Sequence, residues 1–414
     1  MLRVPIGYAE AGMVLAMPIY HPRRQDTMLL KAGMVLDERT VARLQELRIR
    51  DFWIRYPGFE FVGEYICPEI QAAQAVMTRQ IADAFDSVSA GTHAKLDYSG
   101  YRSAIGGLLS RLVANPKAAL FVQEMADQGD PVLRHSSSVC MLSVLMGLKL
   151  EDYLIAQRTR MHVRGAKDVA GLGLAAMLHD VGMLRLSPEA SERWRRTQDE
   201  SDPDFQQHVW LGFKMVREAI GPAAASAVLH HHQRYDGSGF PRRKLLDGTY
   251  ASVHGQEIHI YARIIAAADL FDRLRYPPGR SADEPAAPVV RALKQLMEHP
   301  HCSWIDPIVM RAMLAVTPAY APGSMVTLST GEKAVVVECS AHHPCRPSVR
   351  TIGDPRKDFG AGPAEPRDYN LVQETSISIV EAEGHDVSRD NFSLSPRVAA
   401  DVEALSRLPV GHGG

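Results

Sequence analysis

The most unusual stretch of this sequence places three consecutive histidines, His230 to His232, shortly before the turn Asp236-Gly-Ser-Gly-Phe-Pro241. Imidazole rings fill a core poorly, so packing alone gives little reason to set three of them beside such backbone-permissive residues. Neutral imidazoles are, however, common metal ligands. The stretch therefore predicts a binding site beside this turn.

Segments with a helical pattern supply further side chains that can bind metal. The apolar stripe Val139, Leu142 and Met146 places His135 on the inward face of its helix, since residues three or four apart share a face. Asp269 lies among alanines and isoleucines, where an unpaired carboxylate is costly and a cation is a natural neighbour. The full set of candidate metal ligands is His135, His179, Asp180, His208, His231, His232 and Asp269.

This mixture of imidazoles and carboxylates suits iron, manganese, zinc or a related ion, and two ions fit the number of ligands better than one. Each residue alone has an ordinary structural interpretation. A lone helical histidine is more often a core residue, and Asp269 alone could be the partner in a buried ion pair. Their joint occurrence in one apolar helical region favours a metal or catalytic site.

A change of hydrophobic period along the chain predicts which elements position these residues. From Asp130 to about Val316 nearly every segment has the pattern of a helix, and Asp130-Pro131 is a typical helix start. Short β-like runs occur near the N-terminus and again after Pro318. The predicted units are a small α+β module at 1–66, a helical connector at 67–129, a helical domain at 130–316, a small β-rich domain at 317–384 and a tail at 385–414.

Composition and charge exclude several classes of protein. The 414 residues are 46% apolar with a net charge of −2, so the chain has no general attraction to polymeric nucleic acid. No apolar run approaches the length of a membrane span and the N-terminus does not resemble a signal peptide, so we expect a cytoplasmic protein. Five scattered cysteines, an odd number, argue against a disulfide framework.

Three motifs in a fixed order then carry a resemblance to a known family. LHDVG around His179-Asp180, HHQRYDGSGFP and ARIIAAADLFD together resemble the HD-GYP family of HD-domain metal-dependent phosphohydrolases, over about residues 130–316. The first 62 residues also resemble a small domain that often precedes HD-GYP domains. The resemblance implies a mainly α protein with an all-helical HD-type domain between two small flanking domains. It also implies two metal ions, with iron the first expectation and manganese or another ion the alternatives.

The resemblance implies roles for individual residues as well. His179 and Asp180 are the expected catalytic pair, and Asp180 is expected to bridge the two metal ions. Arg273, Arg275 or Arg280 could replace the family's substrate-binding arginine or be solvated surface charges, and the cations flanking the signature are alternative anion contacts. The candidate substrate contacts are Arg234, Asp236, Gly237, Gly239, Phe240, Pro241 and Arg273.

The chain departs from the family pattern at four positions. Met183 stands where the family commonly has a lysine that contacts a substrate phosphate, and a thioether cannot replace an ammonium there. Gln233 and Phe240 replace the usual Glu and Tyr of the signature. Pro131 occupies the place of the glutamate found in members with three metals, so we do not expect a third ion.

The expected activity is hydrolysis of cyclic di-GMP to pGpG, GMP or both, through a metal-activated hydroxide. Two alternatives remain at this stage. A slow or inactive domain could serve as a cyclic di-GMP sensor or docking module, or the enzyme could act on another cyclic dinucleotide. Candidate partners besides cyclic di-GMP are a second copy of the chain and a diguanylate cyclase or other signalling protein.

Overall fold

Helices surround the histidine-bearing segments, and a small sheet module lies at each end of the chain. The computed structural model describes residues 1–21, 24–49, 51–90, 96–119, 131–278, 284–353 and 366–407. This arrangement confirms the predicted fold class, a mainly α protein whose helical domain lies between two small flanking domains. The helices are α1 Glu38–Glu46, α2 Pro68–Ala90, α3 Tyr98–Ala114, α4 Pro116–Ala119, α5 Pro131–Lys149, α6 Glu151–Gln157, α7 Val163–Ala166, α8 Ala170–Leu178, α9 Pro188–Thr197, α10 Pro203–Val216, α11 Pro222–His230, α12 Ile260–Arg275, α13 Val289–Met297, α14 His301–Trp304, α15 Pro307–Val316 and α16 Pro396–Arg407.

The strands form one six-stranded sheet and several two-stranded pairs in the described residues. The two-stranded pairs are β1 with β4, β2 with β3, and β5 with β6. The strands are β1 Leu2–Pro5, β2 Ile19–His21, β3 Arg24–Leu30, β4 Asp51–Ile54, β5 Arg243–Lys244, β6 Tyr250–Ala251, β7 Met325–Leu328, β8 Lys333–Glu338, β9 Ser348–Thr351, β10 Asp368–Asn370, β11 Ile379–Ala382 and β12 His385–Asp386.

The N-terminal module has its own apolar core, built around Leu2, Leu15 and Ile54. The apolar runs at 12–20 and 28–36, for which the sequence predicts strands, both contribute residues to the antiparallel pair of β2 and β3, while their Gly-Met-Val-Leu segments meet through an antiparallel bridge between Val14 and Val35. The first strand of the module, β1, lies in a segment for which the sequence pattern predicted no strand. It pairs with β4 over four residues, which closes the module.

The helices of the predicted connector belong to the main helical body. Ile105 and Leu108 of α3 and Met77 of α2 are fully buried in the same core as Val139 of α5 and Leu174 of α8. Because these helices share one core, α2 and α3 contribute to the support of α5 and α8. Asp130, the predicted N-cap of α5, lies outside the described residues.

Local sequence signals fix where the site-bearing helices begin. The Asp202 carboxylate caps α10 by accepting a hydrogen bond from the Asp204 N–H, and Pro203 occupies the first turn. The ring of His259 caps α12 by accepting from the Tyr261 N–H. These caps set the register of α10 and α12, and therefore the places of His208 and Asp269.

The C-terminal sheet is antiparallel, with strand order β10-β9-β8-β7-β11-β12. It ends at Asp386, two residues beyond the predicted boundary at 384, and α16 packs against α15 in the helical body. The sequence from 354 to 366 is rich in Gly, Pro and charged residues, which predicts a loop, and it falls almost wholly outside the described residues. All five cysteines are free thiols. Among the described helices, none is both long enough and apolar enough to cross a bilayer.

Candidate metal centre

Five helices bring the seven candidate metal ligands into one buried site. His135 projects from α5, His208 from α10 and Asp269 from α12. His179 and His231 stand at the C-terminal ends of α8 and α11, with Asp180 and His232 immediately after them. The ligand atoms form two groups, each spanning no more than 4.8 Å. These groups are Asp180 with His208, His231 and His232, and His135 with His179 and Asp269.

Asp180 lies between the two groups and turns one oxygen to each. Its Oδ2 is 3.6 Å from Nε2 of His135 and 3.5 Å from Nε2 of His179. Its Oδ1 is 3.6 Å from Nε2 of His208 and 3.4 Å from Nε2 of His231. A carboxylate placed in this way can bind one cation with each oxygen, as the bridging role implied by the family resemblance would require.

Backbone carbonyls orient three of the histidine rings. Nδ1 of His179 donates to the Ala176 carbonyl at 2.8 Å, Nδ1 of His208 to Phe205 at 2.6 Å, and Nδ1 of His231 to Val228 at 2.8 Å. Each bond reaches back three residues along the chain. Because the proton of the neutral ring is then held on Nδ1, the lone pair of Nε2 is directed into the site, as in many metal-binding histidines.

The spacing of these lone pairs fits a bound metal ion. Nε2 of His135 lies 3.3 Å from Nε2 of His179, and Nε2 of His208 lies 3.3 Å from Nε2 of His231. Two nitrogens that bind the same ion, each at about 2.1 Å from it, lie about 3.0 to 3.4 Å apart at octahedral or tetrahedral angles. Without a cation, the Nε2 lone pairs of His208 and His231 would repel at this distance, because both rings donate through Nδ1 to backbone carbonyls.

The charge state of the buried histidines supports the same interpretation. Burial lowers the pKa of His179 to about 4, and burial also holds the pKa of His208 well below its ordinary value. Both rings are therefore neutral near pH 7, which is the form that binds metal. Burial and the charge of His231 likewise lower the pKa of His232.

The pKa of His135 is raised, unlike the lowered pKa values of His179, His208 and His232, because the neighbouring carboxylates favour positive charge on its ring. Burial alone disfavours its charged form, but hydrogen bonds and charge from Asp269 and Asp272 outweigh burial and raise its pKa to about 10. Asp269 Oδ1 lies 3.2 Å from its Nε2, and Asp272 Oδ2 accepts from its Nδ1 at 2.7 Å.

Comparison with known proteins agrees with this geometry. Residues 154–309 match the family model described as an HD domain, and they include four of the five site-bearing helices, α8, α10, α11 and α12. The resemblance of this region to HD-GYP proteins within the HD-domain family is thereby confirmed. Residues 325–386, the six-stranded sheet, match a family described as a KOW domain associated with HD domain.

Several curated proteins are similar to this chain. A cyclic di-GMP phosphodiesterase of Pseudomonas aeruginosa is 23% identical over 69% of this chain and 58% of its own length. The cyclic di-GMP phosphodiesterase response regulator RpfG of Xanthomonas campestris is 32% identical over 26% of this chain and 27% of its own. The 3′3′-cGAMP-specific phosphodiesterase 3 of Vibrio cholerae is 32% identical over 34% of this chain and 28% of its own. The chain thus spans less than two thirds of each of these relatives.

One solved structure was also found to be similar, an HDG"Y"P protein from Bdellovibrio bacteriovorus. It is 16% identical and covers 75% of this chain and 97% of its own, with a TM-score of 0.44.

The signature turn at 236–241 packs beneath His232. Phe240 is buried and stacks on the His232 ring, with ring centroids 4.7 Å apart. Gly239 lies so close to the backbone of this segment that a Cβ would sit 2.3 Å from the His232 carbonyl oxygen. The Pro241 carbonyl accepts from the Gln233 amide. In this structure Gly239, Phe240 and Pro241 thus support a candidate metal ligand, while their contact with substrate stays a prediction.

The other candidate substrate contacts are placed differently. Asp236 Oδ1 accepts from the Ser238 N–H and hydroxyl, and its Oδ2 accepts from the Ser303 hydroxyl at 2.9 Å. Gly237 follows with a φ of 84°, a conformation that glycine adopts without strain. Asp236 and Gly237 therefore shape the turn. Arg234 and Arg273 lie nearer the ligands and are both paired with Glu200.

Met183 and His230 occupy positions that exclude them from the metal centre. Met183 packs against the apolar cluster of Phe205, Val209, Leu229 and Phe240, as its thioether would favour. Nδ1 of His230 lies 3.0 Å from the Ser226 carbonyl, one turn back along α11. Of the three consecutive histidines, only His231 and His232 thus belong to the ligand groups.

Two carboxylates that support the site were missed by the sequence analysis. Asp272 accepts from His135 and, through its other oxygen, from Arg134 at 2.8 Å. Its position three residues after Asp269 puts both on one helix face, a signal that could have found it. Glu200 lies in a polar turn between α9 and α10, and nothing in the local sequence marks it.

Replacing Asp272 by asparagine is expected to weaken metal binding by roughly 10- to 100-fold, the usual effect of losing a group that orients a ligand histidine. The carboxylate serves both His135 and Arg134, whereas an amide has one acceptor oxygen for the two donors. Titration with metal and a competing chelator measures the change. The exposed Asp247→Asn should bind metal as the wild type does. Unchanged metal affinity in Asp272→Asn would contradict the role of Asp272 in orienting His135.

Proposed function

We propose that this protein is a metal-dependent phosphodiesterase that hydrolyses a cyclic dinucleotide, with cyclic di-GMP as the first substrate. The proposal rests on the position of Asp180 between two pairs of histidines. One pair, His135 and His179, has its Nε2 atoms near Oδ2 of Asp180, and the Nε2 atoms of the other pair, His208 and His231, lie near Oδ1. Such an arrangement suits two metal ions about one bridging carboxylate. Two relatives whose printed names describe cyclic di-GMP phosphodiesterases support the choice of substrate.

The reaction adds water across one phosphodiester bond. Oxygen from water bonds to phosphorus, the bond from phosphorus to the 3′ oxygen breaks, and the leaving oxygen takes a proton. Opening one of the two diesters of cyclic di-GMP gives pGpG, and a second cleavage gives GMP. Bound metal ions would supply the acidity that makes water nucleophilic and the charge that stabilises the transition state.

The residues of this chain have separate tasks in that proposal. The histidines and Asp269 would hold the ions, and Asp180 would fix the distance between them. The carbonyls of Ala176, Phe205 and Val228 keep the rings in the required tautomer. Phe240 and Phe205, packed around His232 and His208, exclude water from one side of the ligands.

Specific observations favour two alternatives to cyclic di-GMP hydrolysis. Met183 gives no positive charge near the phosphate, and Arg273 is already paired with two carboxylates, which favours slow turnover or a sensor of cyclic di-GMP. Another relative is named a 3′3′-cGAMP-specific phosphodiesterase, which favours a different cyclic dinucleotide. The sensor would bind cyclic di-GMP without hydrolysing it.

Incubation of the anaerobically purified protein with cyclic di-GMP, 3′3′-cGAMP and bis(4-nitrophenyl) phosphate separates these functions. We expect pGpG or GMP to appear in chromatograms, and we expect chelation of the metals to stop the reaction. Preferential loss of 3′3′-cGAMP would change the substrate but keep the reaction class. Full metal occupancy with all three compounds intact would contradict the proposed activity.

A further inference from the structure

A charged cluster lies next to the candidate metal ligands, and its central carboxylate, Glu200, has no part in the function proposed so far. The cluster consists of Glu200, Arg234 and Arg273, from three separate segments of the chain. Glu200 Oε1 lies 2.7 Å from Nη1 of Arg273, and Glu200 Oε2 lies 2.6 Å from Nη2 of Arg234. One carboxylate thus joins two guanidinium groups at the rim of the metal centre.

Arg273 reaches from this cluster to the ligands themselves. It lies one helical turn after Asp269 on α12, and its Nη2 is 3.0 Å from Asp269 Oδ2. The other oxygen of Asp269 faces His135 at 3.2 Å. Arg273 therefore places a positive charge beside a carboxylate that is itself a candidate metal ligand.

The Arg273 side chain retains a free donor. Its Nε is buried and has no hydrogen-bond partner within the described residues. A buried donor left unpaired is costly, and the side chain, which is 16% exposed, would have to shift for this Nε to donate a charge-assisted hydrogen bond to a phosphate oxygen. The planar guanidinium also matches the geometry of a phosphodiester better than an ammonium does.

Glu200 determines where Arg273 can point. Its side chain is only 14% exposed, and it contacts the ring of His232 as well, with Oε1 3.2 Å from Nδ1. The Glu200 turn is tied to α10 through the Glu200 carbonyl, which accepts from the Gln206 amide at 2.9 Å. Two anchored carboxylates, Glu200 and Asp269, therefore hold the guanidinium in one orientation.

We propose that Glu200 is a positioning residue that holds Arg273 against the metal centre, where Arg273 binds a phosphate of the substrate. This inference rests on the proposed function, because it assigns a phosphodiester anion to the same site. Arg273 then supplies the cation that Met183 does not. The apolar surroundings of Met183 leave it no access to that role.

The test is calorimetric binding of inorganic phosphate and of cyclic di-GMP to metal-reconstituted protein, together with steady-state kinetics. Arg273→Ala should weaken both ligands by roughly 10- to 100-fold, as expected for loss of a charge-assisted hydrogen bond. Arg273→Lys should bind both ligands more tightly than Arg273→Ala but more weakly than the wild type, because lysine keeps the positive charge but lacks the planar guanidinium with its paired N–H donors. Glu200→Gln should weaken binding by about three- to tenfold at unchanged metal content, since the amide oxygen still accepts from His232.

The double variant distinguishes positioning from an independent contact. If Glu200 acts through Arg273, adding Glu200→Gln to Arg273→Ala should cause no further loss of phosphate affinity. Glu192→Gln, an exposed carboxylate on α9 paired with Arg195, is the matched control and should leave binding unchanged. Thermal melting of each variant identifies any that fails to fold, and Arg273→Lys then serves in place of Arg273→Ala.

Three results would overturn the inference. They are additive losses in the double variant, tighter phosphate binding in Glu200→Gln, and a wild-type protein that binds neither phosphate nor cyclic di-GMP. A wild-type protein that binds both but hydrolyses none of the diesters would instead contradict the proposed function. In that case the binding data alone decide the role of Glu200.

Discussion

Asp180→Asn is expected to lose hydrolysis by more than a hundredfold and to retain at most one metal ion per chain. The two oxygens of Asp180 face different histidine couples, so a single amide oxygen cannot serve both sides. Removing a group that merely orients a ligand already costs roughly 10- to 100-fold, and loss of a shared ligand should cost more. Elemental analysis and product chromatography on the same preparation measure both effects.

Asparagine has nearly the volume of aspartate, so the Asp180 variant should keep the fold while losing the ions. Circular dichroism of the metal-free proteins checks that point. Asp152→Asn, an exposed carboxylate on α6, makes the same chemical change away from the site and should bind two ions. An Asp180→Asn protein that kept two ions and full activity would show that Asp180 does not bridge them.

The second large effect is expected at Gly182, where alanine should destabilise the fold by about 2 kcal/mol or more and displace His208. A Cβ at this position would lie 2.0 Å from the His208 carbonyl oxygen and 2.5 Å from the Gly212 nitrogen. Both are backbone atoms of α10 and cannot move aside as a flexible side chain would. Overpacking commonly costs about 1 to 3 kcal/mol, and here the strain falls on a helix that carries a candidate ligand.

Chemical denaturation and metal titration together test the Gly182→Ala prediction. Gly106→Ala is a matched control, since a Cβ there meets no atom within 4 Å and alanine favours the helix. That control should be neutral or slightly stabilising, with normal metal content. If Gly182→Ala matched it in both measurements, close packing of this segment against α10 would not be required for the site.

The candidate ligands could be predicted from the sequence because their types are unusual for their surroundings. His179, His231 and Asp269 lie in strongly apolar segments, and a buried polar side chain needs a partner. The structure brings these residues together from separate helices, which the ordered motifs also implied. Their role as metal ligands remains a prediction that the experiments above address.

The supporting residues could not be predicted in the same way. Glu200 lies in a polar turn typical of an exposed loop, and only the fold brings it to His232 and Arg273. The partnership of Asp272 with His135 joins residues 137 positions apart. Sequence periodicity reports which face of a helix is buried, but it does not report which side chains meet across different helices.

The N-terminal module shows a similar limit at the level of the fold. The apolar Gly-Met-Val-Leu segments have the composition of strands, but they form an isolated bridge between Val14 and Val35. The strand β1 is only four residues long and pairs with β4, nearly fifty residues away. So short an element gives almost no periodic signal, and its existence depends on the distant partner.

The most direct test of the central claim is anomalous diffraction from crystals of the anaerobically purified protein. We expect two metal peaks on opposite sides of Asp180, one bound by His135, His179 and Asp269, and the other by His208, His231 and His232. A single peak, peaks elsewhere in the protein, or two ions that Asp180 does not bridge would contradict it.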